Sequence, residues 1–302
     1  MTANVPEPRG PEGVEATLRA TTSPTQAGDW ALVLAAAGIG YRLEERQPEG
    51  RFVLVVGAAD AAAAESALVG FDAEAPPRPV PAAPDAGRSA LGVAAAIVLS
   101  GMFLLTGAAE PGSHWFQLGA ASADRIAAGQ WWRALTALTL HADLMHLVGN
   151  LVACLIFVSA VGRWLGGGLG ATVVLVAAAG ANLVTAAAHR TGFVSVGAST
   201  ATFAALGLCA GLQAVRWLRG GTRRGYAWVP LGAALGLYAM LGVGPNADTY
   251  AHLFGLAFGA TFGSALALGN VRAPRTTVQT LLGATALAIM GSCWALALQA
   301  PR

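Results

Sequence analysis

Residues 251–263 read Ala-His-Leu-Phe-Gly-Leu-Ala-Phe-Gly-Ala-Thr-Phe-Gly. The run is uncharged apart from His252, and that histidine is followed by glycines at 255, 259 and 263. Spacings of 3, 4 and 4 put these four residues on one face of a helix. A stripe of small residues lets two membrane helices approach closely. A matching stripe lies upstream. In Gly197-Ala-Ser-Thr-Ala-Thr-Phe, continued to Gly207 and Gly211, Ser199, Phe203, Gly207 and Gly211 recur every four residues. The two patterns predict a pair of packed helices with a serine and a histidine at their starts. Polar groups inside apolar segments are costly and mark functional sites. Serine and histidine are also the nucleophile and base of acyl transfer.

Working outward, the rest of the chain supports a bilayer setting. Of its 302 residues 55% are hydrophobic and 11% are charged, with a mean hydropathy of +0.57. Soluble domains carry about 25% charged residues. Acids are concentrated before residue 89, and only Glu110, Asp124, Asp143 and Asp248 follow. The net charge of +2, with arginines in short loops, fits membrane topology and excludes a nucleic-acid partner. Cys154, Cys209 and Cys293 sit in apolar runs without CxxC spacing, which reads as buried small side chains rather than a disulfide framework or zinc site. The polar, Pro/Glu-rich start predicts no cleaved signal peptide.

Four regions are expected. Residues 1–25 lack apolar periodicity and read as disordered. Residues 26–75 read as a small soluble α/β domain of order αββα: a helix over 27–37, strands at 41–45 and 51–56 around Pro48-Glu49-Gly50, and a helix from Asp60 through Leu68. Residues 76–89 form a Pro/Ala-rich linker. No catalytic cluster appears before residue 90, so the soluble domain reads as regulatory, partner-binding or a spacer. Residues 90–299 hold seven apolar segments, at 90–108, 144–165, 169–188, 197–217, 227–243, 250–268 and 277–298. Each is near the roughly 20 residues a spanning helix requires. The loop 109–143, with Trp115, Trp131 and Trp132, is expected at the level of the lipid headgroups.

If all seven segments cross, Arg163, Arg216, Arg219, Arg223, Arg224, Arg272 and Arg275 share a side with Arg88. Arg125, Arg133, Arg190 and Arg302 fall opposite. The positive-inside rule then places the N-terminus in the cytoplasm and the C-terminus outside, with Ser199 and His252 both toward the outer leaflet. The location expected is a bacterial inner membrane.

The same outer level holds His141-Ala-Asp-Leu-Met-His146-Leu-Val-Gly-Asn150. His146 and Asn150 are four residues apart, share a face, and both donate hydrogen bonds. They suit either an oxyanion or a structural hydrogen-bond pair. His141, His146 and His252 lack the HExxH pattern and any carboxylate within the segments, which argues against a metal and predicts no cofactor. No acid lies between Asp143 and Asp248, and Asp248 reads as a helix cap or solvated acid. A Ser199–His252 dyad is therefore expected, with the histidine oriented by packing on Phe203 or Tyr250.

Together these residues resemble the rhomboid family of intramembrane serine proteases over roughly residues 90–300. Trp132-Arg133 is similar to the family's Trp-Arg in the first loop; His141, His146 and Asn150 to its HxxxxHxxxN; Gly197-Ala198-Ser199 to the start of its GxSG; Ala251-His252 with Gly255 and Gly259 to its AHxxGxxxG. The resemblance implies an all-α polytopic membrane protein, with a rhomboid-like six-helix core plus one C-terminal helix behind the α/β domain. It implies Ser199 as nucleophile, His252 as base, and His146, Asn150 and the Ser199 N–H as oxyanion donors. Gly197, Phe203, Gly255, Gly259, His141, Trp132 and Arg133 are supporting residues. Transmembrane segments of other proteins are the expected substrates. Thr200 departs from the family's glycine, Phe203 from a frequent tyrosine, and Gly162 from a frequent acid. An inactive rhomboid-like binder of transmembrane segments is the competing reading. A transporter would predict inverted repeats and interrupted helices, and the sequence shows no paired halves.

Overall fold

The computed structural model describes residues 13–46, 50–74, 89–189, 192–219, 228–243 and 248–300. The chain forms two compact units, Met1–Arg78 and Pro79–Arg302.

The first unit runs β1 (Glu15–Thr21), α1 (Pro24–Ala36), β2 (Tyr41–Arg46), β3 (Arg51–Gly57) and α2 (Ala61–Glu74). Its antiparallel sheet has the order β1-β3-β2. In β3, Val53, Leu54, Val55 and Val56 are all buried. A strand covered on both faces needs a hydrogen-bonding partner on each edge. β2 supplies one edge and β1 the other, which corrects the αββα order and, for residues 13–25, the disordered reading; residues 1–12 lie outside the described residues. Glu and Arg within EATLRAT hide that strand from a hydrophobicity count. Arg19 is neutralised in place, 2.7 Å from Glu65 and 2.6 Å from Asp72 of α2, and lies over the Trp30 ring. The hydrogen bond to Glu65, and then the one to Asp72, hold its guanidinium above the ordinary pKa despite partial burial. Helix α1 starts earlier than expected because Ser23 caps it, its hydroxyl accepting from the Gln26 N–H at 3.3 Å. Helix α2 continues past Leu68 to Glu74. The expected turn residues Pro48 and Glu49, and the linker apart from Ser89, lie outside the described residues.

The second unit is helical. It opens with α3 (Leu91–Thr106). A folded loop follows with α4 (His114–Gly119), β4 (Ala121–Ser122), α5 (Ala123–Ala127) and α6 (Arg133–Thr136). Next come α7 (Leu144–Leu165), α8 (Gly167–His189), β5 (Val194–Ser195), α9 (Ser199–Arg219), α10 (Val229–Leu241), α11 (Thr249–Leu268) and α12 (Thr276–Gln299). Among the described residues, five helices, α7, α8, α9, α11 and α12, are long and apolar enough to cross a membrane, and the chain is an integral membrane protein. The first and fifth apolar segments are shorter than expected. At 1.5 Å per residue, the 16 residues of α3 and 13 of α10 reach about 24 and 20 Å, against a hydrocarbon core of about 30 Å.

Helix α9 is the most buried span, and its partner is α11. The two glycine stripes meet backbone to backbone. Gly255, Gly259 and Gly263 lie against the carbonyls of Thr200, Ala204 and Leu208, while Gly207 and Gly211 lie against those of Leu256 and Ala260. A Cβ on Gly255 would stand 2.6 Å from the Thr200 oxygen, and the other four would overlap their carbonyls. On the far side, Gln279 of α12 stitches the α7–α8 junction. It donates to the Leu165 carbonyl at 2.7 Å and accepts from the Leu169 N–H at 2.9 Å.

Within α7, residues Cys154–Val158 form a π-helical turn between two α-helical stretches. Gly92 of α3 sits directly on the Cys154 carbonyl and Ser159 at that turn. Gly162, one of the family departures, is a similar point of close approach, and a Cβ there would lie 3.0 Å from the Leu91 Cβ.

The 109–143 loop is a built layer. β4 pairs antiparallel with β5, Ala121 opposite Ser195. Arg133, 1% exposed, donates to Gln130 Oε1 at 2.7 Å and to the Ala120 and Gln117 carbonyls at 2.8 Å each. Its partners are neutral. Burial first, then Arg125, lowers its pKa to about 10, so it stays charged at neutral pH and pins α4 and the residue that follows it to α6.

Candidate active site

Ser199 is the first residue of α9, and the turn before it is held at two points. The Gly197 N–H donates to the Ala137 carbonyl at 2.9 Å, and the Ala198 N–H donates to His141 Nε2 at 3.4 Å. His141 is fully buried, and burial, then the neighbouring His146, lowers its pKa to about 4. It therefore stays neutral and keeps the lone pair that accepts from Ala198. Gly197 has φ +120°, a region that disfavours side chains. A Cβ there would also stand 2.5 Å from His146 Cε1. Glycine is required on both counts.

His252 lies in the first turn of α11, whose start is capped by Asp248 accepting from the Ala251 N–H at 2.9 Å. The glycine stripes bring this turn beside Ser199, and His252 Nε2 is 2.7 Å from Ser199 Oγ. The other ring nitrogen, Nδ1, is 2.9 Å from the Gly242 carbonyl oxygen at the end of α10. A carbonyl only accepts, so Nδ1 carries the proton and Nε2 presents its lone pair to the serine hydroxyl. Phe203 stacks on the imidazole, with ring centroids 4.7 Å apart and planes at 28°. Tyr250 goes elsewhere. It is 53% exposed and meets His189 edge-on at 4.9 Å.

His146 and Asn150 occupy the first turns of α7. Asp143 caps this helix by accepting from the His146 N–H at 2.8 Å, and Asn150 Nδ2 donates to the His146 carbonyl at 3.1 Å. Both side chains line the same cavity as Ser199 and His252, a space of about 780 Å³. Its wall includes Phe193, Val194 and Ser195 from β5 and its approach, and Leu237, Leu241 and Val243 from the end of α10. Asp248 lines it too, and its Oδ2 is buried without a partner among the described residues.

Other expected residues act at one remove. Trp132 and Arg133 belong to the loop layer, and Gly255 and Gly259 to the α9–α11 contact. Thr200, which departs from the family's glycine, is 3% exposed and absent from the cavity wall. Thr202 stands on that wall instead, its hydroxyl donating to the Ser199 carbonyl at 2.9 Å. The Gly242 carbonyl has no counterpart among the sequence expectations, because a backbone acceptor carries no residue signature.

Residues 128–268 match the family model for the Rhomboid domain. That matched stretch, just under half of the chain, is similar to the rhomboid family. The rhomboid match takes in α6 through α11, and so includes His146, Asn150, Ser199, Gly242 and His252. The chain is also similar to a Bacillus subtilis (strain 168) protein named "Putative rhomboid protease YdcA", 31% identical over 134 residues. That alignment covers 44% of this chain and 66% of the relative, so the chain spans just under two thirds of the curated rhomboid it matches. The first unit, α3 and α12 lie outside the matched rhomboid residues.

Proposed function

We propose that the chain is an intramembrane serine endopeptidase acting on transmembrane segments of other proteins. The observation that carries this reading is the 2.7 Å Ser199–His252 contact, with the histidine's proton held on Nδ1 by Gly242. His252 Nε2 removes the hydroxyl proton as Ser199 Oγ attacks a scissile carbonyl. The resulting oxyanion is stabilised by donors on the same cavity: the Ser199 N–H, which as the first of α9 has no intrahelical acceptor, with the side chains of His146 and Asn150. The start of α9 adds its positive dipole end. The imidazolium then returns its proton to the leaving amine, releasing one product and leaving an acyl-serine. Water, deprotonated by the same histidine, attacks the ester; as the ester bond breaks, the histidine returns that proton to Ser199 Oγ and the second product leaves as its carboxylic acid.

The substrate enters as a helix and must unwind locally, because a helical carbonyl is already engaged in its own hydrogen bonds. Gly or Pro near the cut lowers that cost. Cleavage lies toward the outer leaflet, with the first unit in the cytoplasm, on the arginine distribution. A purified protein should cleave a single-span substrate and lose that cleavage in Ser199→Ala. Undiminished cleavage by Ser199→Ala, or binding of the substrate with no cleavage by the wild type, would falsify the reading.

A further inference from the structure

Helix α12 contributes no residue to the cavity that holds Ser199 and His252. Its outer end nevertheless reaches the segment from which the serine turn hangs. Trp294 Nε1 donates to Thr139 Oγ1 at 3.1 Å. Thr139 is 3% exposed, and its hydroxyl donates onward to the Thr136 carbonyl at 2.8 Å. The indole fits a slot left by a missing side chain, for a Cβ on Gly119 would stand 2.5 Å from its ring. Trp115 closes the slot edge-on at 5.7 Å. Cys293 is buried beside Leu135 and Leu138, and Ala201 of α9 packs against the same group.

Residues 136–141 are thus bonded on one side to α12 and on the other to the serine turn. Two residues before Thr139, Ala137 accepts from Gly197, and two residues after it, His141 accepts from Ala198. A phenylalanine would keep an aromatic ring in this region but would lack the N–H that bonds to Thr139.

We propose that Trp294 is a positioning residue for Ser199, fixing Thr139 and thereby the two acceptors that set the serine turn. This rests on the reading of Ser199 as the nucleophile. Gln279, near the other end of α12, supplies the comparison, since its bonds hold the helix to the α7–α8 junction and touch nothing near the site.

The test uses full-length protein, a single-span substrate and a fluorophosphonate probe that labels an activated serine. Trp294→Phe should lower kcat and the Ser199 labelling rate on the order of 10-fold, with KM within about twofold, as a small misplacement of reacting atoms does. Thr139→Val should match it, the double variant should fall no further, and Thr139→Ser should retain activity. Gln279→Ala should lower the thermal midpoint and leave kcat near wild type. Wild-type kcat in Trp294→Phe overturns the proposal. Additive losses in the double variant overturn it too, as does a loss of stability without loss of labelling. A wild-type protein that neither cleaves nor labels at Ser199 overturns the protease reading and this proposal together. An active wild type with an unaffected Trp294→Phe overturns this proposal alone.

Discussion

The Gly242 carbonyl oxygen stands 2.9 Å from His252 Nδ1, where soluble serine hydrolases place a carboxylate. A carbonyl fixes the tautomer and the ring orientation as a carboxylate does. It would offer less to an imidazolium formed in the proposed attack, because it carries no full charge. Its position just beyond α10 recovers part of that, since helix C-termini carry partial negative charge.

Gly242→Ala tests this contact. A Cβ there would stand 2.7 Å from Tyr238 Cδ2 and 3.0 Å from Phe203 Cζ, so the end of α10 must shift and carry the carbonyl away. The expected result is a fall in kcat of about 10- to 100-fold with KM little changed, a partial loss of the roughly 100- to 10,000-fold that general-base catalysis supplies. Steady-state kinetics on a single-span substrate measures it, and an unchanged kcat would remove Gly242 from the mechanism.

His141 predicts a pH dependence of stability. Its folded pKa of about 4 lies below the ordinary 6.5, so between these values the unfolded chain binds more protons. Stability should therefore rise as pH rises from about 4 to 6.5 and level off above. The contribution is on the order of 1–3 kcal/mol. Thermal midpoints across that range should show the slope in wild type and a flatter profile in His141→Asn, and equal slopes would exclude the assignment.

Gly259→Val places a branched side chain where even a Cβ overlaps the Ala204 carbonyl. Helices α9 and α11 must separate, at a cost of roughly 3 kcal/mol or more, with Ser199 and His252 drawn apart. Both the thermal midpoint and probe labelling should drop, with Gly259→Ala intermediate. A fully stable Gly259→Val would mean the stripes are not the contact that joins the dyad.

Arg133→Met removes three hydrogen bonds and a buried cation from the loop layer. The Ala120 and Gln117 carbonyls lose their donors, for an expected cost of about 2–4 kcal/mol. Limited proteolysis should cut within residues 113–133 faster than in wild type, and equal cutting rates would argue against the pinning role.

In the first unit, β1 predicts where the domain can be trimmed. A soluble polypeptide of residues 13–74 should give a dispersed amide spectrum, whereas residues 26–74 should not, because β3 then lacks one edge partner. Comparable dispersion from the shorter piece would show that β1 is dispensable.

The sequence carried the membrane fold well because its signals there are one-dimensional. Long apolar runs and glycines at helical spacing directly encode the α9–α11 contact, and Ser199 and His252 ride on that register. What stayed hidden depends on backbone or on pairs distant in sequence. Gly242 acts through a carbonyl, and Gln279 and Trp294 bond to residues more than a hundred positions away. The strand at Glu15–Thr21 was masked because Arg19 finds its counter-charges only after α2 has folded. Tyr250 and Phe203 were equally plausible partners for the histidine, and only the helix crossing decides for Phe203.

The π-helical turn at Cys154–Val158 gives α7 two azimuths. One extra residue in a turn offsets the angular phase by about 100° relative to an uninterrupted α-helix. No single helical wheel therefore describes the segment from Leu144 to Leu165. The N-terminal half is free to aim His146 and Asn150 at the cavity, while the C-terminal half independently aims Val158, Val161 and Leu165 at the protein interior. A one-residue deletion within 154–158 would force these orientations to compete. The placement of His146 and Asn150 on the cavity and the seat of α3 on Cys154 would then be rotational alternatives, and only one of them could be kept.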